Sequence, residues 1–237
     1  MKGKLFCIGV GPGDPELLTL KAVKYSRRCP VWAVPQGNTE KLTAKSILLD
    51  ALQGIDGVEP EKKEIITLHF PMTRDRAVLA AAHRKGAAAI AVHLEAGRDV
   101  ALFTLGCPTV YASSIYVHRR LRDDGYETEI VPGVPSFCAA AAALQQPLCE
   151  KEEPLVIFPG GRADRQALLQ MPGNTVIMKP AGQLAAIKAE LTAAGKLAGA
   201  SMVERCGLPG ERRYPSLADA EENTYFSVIL VHEEGRG

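Results

Sequence analysis

The segment Leu5-Phe6-Cys7-Ile8-Gly9-Val10-Gly11-Pro12-Gly13-Asp14-Pro15 decides the fold. Leu5–Ile8 is a short apolar run and reads as a strand. The glycines that follow allow tight backbone geometry and the close approach of another molecule. Asp14 suits a helix N-cap, because its carboxylate can accept a backbone N–H of the first turn. Pro15 suits the first helical position, where a missing N–H costs nothing, and Glu16 adds negative charge near the positive helix end. Strand, glycine loop and helix in that order are the opening unit of an α/β fold.

The same alternation continues outward from this segment. After a helix over Pro15–Cys29, strands are predicted at Val31–Val34, Ile65–Phe70, Val100–Leu105 and Glu127–Val131, and helices at Thr39–Leu52, Arg74–Glu95 (interrupted at Gly86) and Ser113–Arg122. Val100–Leu105 is continuously apolar, as a parallel strand covered on both faces should be. The pattern restarts after Val131-Pro132-Gly133-Val134-Pro135, where two prolines and a glycine interrupt it. Helices follow at Ser136–Leu144 and Leu184–Ala194, with strands at Leu155–Phe158, Thr175–Met178, Ser201–Glu204 and Phe226–Val231. The expectation is two α/β domains, residues 1–133 and 134–237, with neither an internal repeat nor a low-complexity segment.

Composition excludes several function classes. Lys and Arg number 28 against 27 Asp and Glu, and a dedicated nucleic-acid binder would show a basic excess. The run His118-Arg119-Arg120 with Arg122 reads as a solvated helix face. The Ala-rich stretch from Ala77 to Val92 is broken by His83, Arg84, Lys85 and Gly86, so no membrane span is expected. The apolar run near Met1 is too short for a signal-peptide core. Of the six cysteines no two form C-x-x-C, which fits reduced, small core residues of a cytoplasmic protein. The five histidines show no metal-ligand spacing, so no protein-bound metal is expected.

Three glycine-containing loops sit at carboxyl ends of predicted strands, where open α/β sheets bind ligands. They are Gly9–Pro15, Thr104–Tyr111 and Val131–Phe137. The first is spaced G-x-G-x-G. Its Pro12 lacks a donor that a pyrophosphate would use, and Asp14 and Glu16 would repel phosphate. Val34-Pro35-Gln36 carries no acid for a ribose, so a nicotinamide enzyme is a poor reading. A Walker A motif is absent as well. Taken alone, the first loop reads equally well as a plain strand-to-helix turn.

Gly9–Thr19 (GVGPGDPELLT), Leu105–Tyr111 (LGCPTVY), Val131–Leu148 (VPGVPSFCAAAAALQQPL) and Glu204–Glu211 (ERCGLPGE) together resemble the tetrapyrrole (corrin/porphyrin) methylases in order and spacing. The resemblance covers nearly the whole chain. Within that family, Phe70-Pro71-Met72-Thr73-Arg74-Asp75 looks like the hallmark of the precorrin-2 or cobalt-factor II C-20-methyltransferases. The extended stretch between the second and third strands, the strand end Val176–Lys179 and the closing Tyr225–Val231 are similar to the same group.

The resemblance implies a tetrapyrrole methylase fold, a homodimer, and S-adenosylmethionine (SAM) held in a cleft between the two domains. It places SAM contacts at Pro12, Leu105, Gly106, Cys107, Val110, Pro135, Ser136, Met178 and Gly207, many through backbone atoms. The implied reaction is methylation of C-20 of precorrin-2 or cobalt-factor II in cobalamin biosynthesis. The alternatives are a methylase of the same family acting at another ring carbon, or a non-catalytic SAM- or tetrapyrrole-binding protein. The substrate's acetate and propionate groups call for Arg or Lys; Arg74, Lys179 and Arg205 are the candidates. Tyr111 and His69 are the candidate acceptors for the proton that leaves C-20, with solvent as the third. One position departs from the family pattern, for Cys107 stands where Gly-Asp-Pro is usual. A free thiol with a pKa of about 8.5 is a poor base at neutral pH, so Cys107 reads as a pocket residue.

Overall fold

The computed structural model describes residues 1–36, 44–53, 55–71, 73, 75–180, 182–222 and 224–233. The chain divides into two compact units, Met1–Pro135 and Ser136–Gly237.

The first unit runs β1 (Leu5–Gly9), α1 (Leu20–Arg28), β2 (Val31–Gln36), α2 (Ala44–Leu52), β3 (Glu64–His69), α3 (Arg76–Glu95), β4 (Val100–Thr104), α4 (Ser114–Asp123) and β5 (Thr128–Val131). Its five strands are all parallel, in the order β3-β2-β4-β1-β5. β1 and β4 lie inside the sheet and are buried along their whole length, which is why they are apolar without alternation. Side chains still point alternately to the two faces. Leu5, Cys7, Val31, Ala33, Val100 and Leu102 meet Ala87, Ile90 and Leu94 of α3 and Val117 and Leu121 of α4. On the opposite face Phe6 stacks on Tyr25 of α1 at 4.0 Å, and Trp32 meets Phe103 edge-on at 5.4 Å.

Two helix starts differ from the sequence expectation. Asp14 caps only a 3-10 turn over Pro15–Leu17, accepting the Glu16 N–H at 2.9 Å. Thr19 then provides a second cap, accepting from Ala22 at 3.1 Å, so α1 begins at Leu20. Competing caps five residues apart split what the pattern alone joins. α3 begins at Arg76 because Asp75 accepts the Ala77 and Val78 N–H groups. It continues unbroken through Gly86, which is buried against the Phe70 ring; a Cβ there would stand 3.5 Å from Phe70 Cε1.

The second unit runs α5 (Ser136–Ala143), β6 (Leu155–Pro159), α6 (Arg165–Leu169), β7 (Asn174–Met178), α7 (Leu184–Ala193), β8 (Ala200–Glu204), β9 (Arg212–Tyr214) and β10 (Ser227–Val231). The sheet order is β6-β7-β10-β8-β9. β6 and β7 are parallel, while β10 inserts antiparallel between β7 and β8, and β9 pairs antiparallel with β8. One face carries α6 and α7 through Leu169, Leu184, Ile187 and Leu191, packed on Phe158, Ile177, Met202 and Ile229. α5 packs against β10 and β8, with Gln146 accepting from Ser201 at 3.1 Å. Among the described residues no helix is long and apolar enough to cross a membrane.

Candidate functional site

In the first unit β1 and β4 are neighbours whose chains leave in opposite directions. β1 leads through α1 to β2 on one side, and β4 leads through α4 to β5 on the other. With α1 and α4 on opposite faces, the carboxyl ends of β1 and β4 form the divergence point at which open α/β sheets take ligands. The three glycine loops meet there. A Cβ built on Gly9 would stand 2.5 Å from the Gly106 carbonyl oxygen and 2.7 Å from the Gly133 nitrogen. One built on Gly133 would strike the same Gly106 oxygen and lie 2.8 Å from Gly9 C. Gly11 and Gly106 form an isolated antiparallel bridge, the Gly106 N–H donating to the Gly11 carbonyl at 2.6 Å and the Gly11 N–H returning at 3.3 Å. Both have positive φ, +76° and +67°, a conformation in which a side chain is strained. Backbone therefore packs on backbone, and the surface that results is largely main chain.

Around this junction the structure places Pro12, buried, and Leu105, Gly106 and Val110, half-buried. Cys107 is 6% exposed, with its Sγ 3.0 Å from the Thr109 hydroxyl. Tyr111 follows in the same loop, 46% exposed and held at φ +46°. Pro135 ends the unit, half-buried. His69 does not join this group. It closes β3, the edge strand, exposed and two strands from β4, a separation of roughly 10 Å. Arg74, with Met72, lies outside the described residues.

Two histidines turn inward. His83 on α3 stacks on Tyr116 of α4 at 4.8 Å and meets Phe70 at 5.4 Å, and its Nε2 is buried without a hydrogen-bond partner among the described residues. His118 is buried on α4, its Nδ1 likewise unpaired among the described residues, so this part of the basic run is not a solvated face. Burial holds both imidazoles below their ordinary pKa, and Arg122 and Arg119 lower His118 further.

In the second unit β6, β7 and β8 point the same way, so their carboxyl ends share one sheet edge with the start of β10. Met178 is buried at the end of β7, and Lys179 follows at φ +53° with its ammonium 5.5 Å from the Tyr225 ring. Arg205 follows β8 at φ +54°, its N–H donating to the Phe226 carbonyl at 3.0 Å. The Nε of this arginine is buried and has no hydrogen-bond partner among the described residues. Gly207, at φ +71°, donates its N–H to the Glu211 carboxylate at 2.7 Å. That bond, followed by Arg213 at 2.6 Å, holds Glu211 below the usual carboxylate range despite partial burial. Ser136 opens α5, half-buried. Of five non-glycine residues with positive φ among those described, three are Tyr111, Lys179 and Arg205. Each costs about 1–2 kcal/mol, and such strain collects where a loop is shaped for a ligand. Two cations on one strained edge suit an anionic ligand such as a carboxylate.

The sequence reading passes over one buried charge on this edge. Arg165 opens α6 and is only 8% exposed, paired through two nitrogens with both oxygens of Glu190 on α7 at 2.8 and 2.7 Å. Nothing local announces it, because Gly161-Arg162-Ala163-Asp164-Arg165 has the composition of a solvated turn. Among the described residues no group of three or more His, Cys, Asp and Glu side chains is placed to hold a metal ion.

Residues 4–221 match the family model of the Tetrapyrrole (Corrin/Porphyrin) Methylases. The chain is 33% identical to the cobalt-precorrin-2 C(20)-methyltransferase of Salmonella typhimurium (strain LT2), over 99% of this chain and 98% of that protein. It is 30% identical to the precorrin-2 C(20)-methyltransferase of a Sinorhizobium species, over 97% and 95%. Among solved structures, a cobalt precorrin-4 methyltransferase superposes with a TM-score of 0.73 at 19% identity, covering 97% of this chain and 94% of the other. Uroporphyrin-III C-methyltransferase from Thermus thermophilus, solved with S-adenosylhomocysteine, superposes at 0.66 with 22% identity, covering 98% of each. At those identities the superpositions speak for the fold. The family match and the full-length relatives speak for descent, and the chain belongs to the tetrapyrrole (corrin/porphyrin) methylases, a family of SAM-dependent methyltransferases.

Proposed function

We propose that this chain transfers a methyl group from SAM to C-20 of a precorrin-2-type ring, metal-free or cobalt-containing, in cobalamin biosynthesis. The observation that carries the reading is the match, nearly end to end, to two relatives whose names both specify C(20). The Phe70–Asp75 motif supports it. Phe70 is buried against His83 and Gly86, and Thr73 accepts the Asp75 N–H at 3.1 Å before Asp75 caps α3.

The first-unit junction suits such a donor, since Gly9, Gly106 and Gly133 leave main chain where side chains would otherwise stand. Pro12, Leu105, Gly106, Cys107 and Val110 are its assigned contacts there. Pro135, Ser136, Met178 and Gly207 complete the assignment. When bound, SAM supplies an electrophilic methyl group on a positively charged sulfur. The protein's task is to hold that methyl in line with the ring carbon and keep water away. Alignment of this kind contributes roughly 7–11 kcal/mol in favourable cases. Arg205 and Lys179, with Arg74, are assigned to the substrate's carboxylates; a guanidinium whose buried Nε has no partner among the described residues supports the first of these. Of the two acceptors considered, we favour Tyr111, whose phenol would pass its own proton to solvent as it takes the ring's, because it shares the loop of Gly106 and Cys107 whereas His69 stands at the sheet's edge strand. A homodimer in the cytoplasm belongs to the same reading, the latter supported by six cysteines that are all free thiols.

The test is incubation of the purified protein with SAM under anaerobic conditions, with precorrin-2 and with cobalt-factor II in parallel. Release of S-adenosylhomocysteine and a new methyl located at C-20 by NMR are expected, and the faster of the two substrates names the physiological ring. A methyl at another carbon would move the assignment to a sibling enzyme of the family. Binding without release would make the chain a binding protein.

A further inference from the structure

Arg165 is held from several sides. Besides the two-nitrogen pair with Glu190 of α7, its Nη1 donates to the Gly160 carbonyl at 2.5 Å and lies 3.3 Å from Gln183 Oε1. Gly160 follows β6, and its N–H donates to the Met178 carbonyl at 2.7 Å. A Cβ on Gly160 would stand 2.8 Å from Pro180 Cα, so the turns after β6 and β7 touch through their backbones. Gln183, at the N-cap of α7, donates its own N–H to the Pro180 carbonyl at 2.8 Å. One guanidinium thus ties together the turn after β6, the turn after β7 and the helix α7. Enclosed by those ties are Met178, Lys179 and Pro180, with Lys179 in a backbone conformation that an L-residue leaves unless its surroundings hold it.

A well-packed apolar cluster could fill the same space with equal or better stability. It could not fix a carbonyl in direction, which a planar fork of donors does. We infer that Arg165, anchored by Glu190, is a positioning residue of the methyltransferase, acting through the Gly160 carbonyl to fix the Met178–Lys179 end of β7 in the conformation that holds the donor. The inference rests on the assignment of Met178 to the donor site.

Three variants of the full chain test it, each read by melting temperature, by calorimetric titration with S-adenosylhomocysteine, and by KM for SAM and kcat. Arg165→Lys keeps the charge but cannot pair with both Glu190 oxygens while reaching Gly160. It is expected to raise the dissociation constant and the KM for SAM about tenfold with kcat changed less than threefold. Leu191→Ala empties a fully buried position on the same helix α7. It is expected to lower the melting temperature at least as much and leave donor affinity unchanged. Gly160→Ala drives a Cβ to 2.8 Å from Pro180 Cα and so displaces the backbone of the β7 end directly; it is expected to weaken the donor. Wild-type affinity in Arg165→Lys alongside weakened affinity in Gly160→Ala overturns the positioning role alone. Equal loss of affinity in Arg165→Lys and Leu191→Ala also overturns it, reducing Arg165 to a stabiliser. Unchanged affinity in Gly160→Ala overturns the assignment beneath it, and the inference with it.

Discussion

Replacing Gly9 by alanine adds one carbon at the junction of the three loops, and the structure sets what that carbon meets. The nearest atoms are the Gly106 oxygen at 2.5 Å, the Gly133 nitrogen at 2.7 Å and the Gly133 Cα at 2.8 Å. All three are backbone, so no rotamer change can relieve the contact. Ordinary van der Waals contact begins near 3.4 Å, and each atom must retreat by about 0.6–0.9 Å. Gly106 is also tied to Gly11 by two hydrogen bonds, so the loops move together or lose that bridge. Overpacking by a single methyl costs about 1–3 kcal/mol, and breaking the bridge adds about 1 kcal/mol. The sum is a loss of about 2–4 kcal/mol, or roughly 4–16 °C in melting temperature at 2–4 °C per kcal/mol. Affinity for S-adenosylhomocysteine should fall at least tenfold. The comparison is Gly125→Ala, at φ +85° with nothing within 4 Å of the added carbon. It has no collision but carries a backbone strain that Gly9, whose φ is not positive, lacks, and should lose about 1–2 kcal/mol with affinity intact. Thermal unfolding and calorimetric titration of both variants decide the matter. If Gly9→Ala melts and binds like the wild type, the three loops do not meet as described and the donor assignment loses its foundation.

Cys107→Ser keeps a small group beside the Thr109 hydroxyl and should leave kcat within about twofold; a loss of several orders of magnitude would make the thiol a chemical participant after all. His83 and His118 resist protonation in the folded state. As pH falls through about 6.5 the unfolded chain takes up protons first, so stability declines from pH 7 toward pH 5. His83→Phe should flatten that decline and, by removing an unpaired buried nitrogen, raise stability at neutral pH by up to about 1 kcal/mol; urea midpoints measured across this range check both. Glu129 is held at about 2, below its ordinary value, first by Lys21 and then by Lys4 against some desolvation. Its contribution is complete above pH 4.5 and disappears as pH falls through about 2. Glu129→Gln should therefore cost about 1 kcal/mol at pH 7, discounted because the side chain is 25% exposed, with the penalty fading as pH falls through about 2; a penalty independent of pH would assign the loss to packing instead.

The sheet-forming elements were legible in the sequence because their signal is local. An apolar run such as Leu5–Ile8 or Val100–Leu105 is buried on both faces wherever it lies in the chain. What escaped was set by distance along the chain. α6 spans five residues and β9 three, too few to show a period, and each is stabilised by partners that sequence spacing does not reveal. Arg165 is the sharpest case, since the carboxylate that permits its burial lies 25 positions away. The glycine loops sit between these extremes. Each alone reads as a turn, and their order along the chain carried the resemblance. The proposed donor site depends on Gly9, Gly106 and Gly133 occupying the same few ångströms, which parallel strands β1, β4 and β5 enforce by standing side by side. The Cys107 departure is understandable on that basis. Where main chain forms the surface, the identity of one flanking side chain matters less than the absence of three Cβ atoms, so this loop can exchange a carboxylate for a thiol and keep its shape.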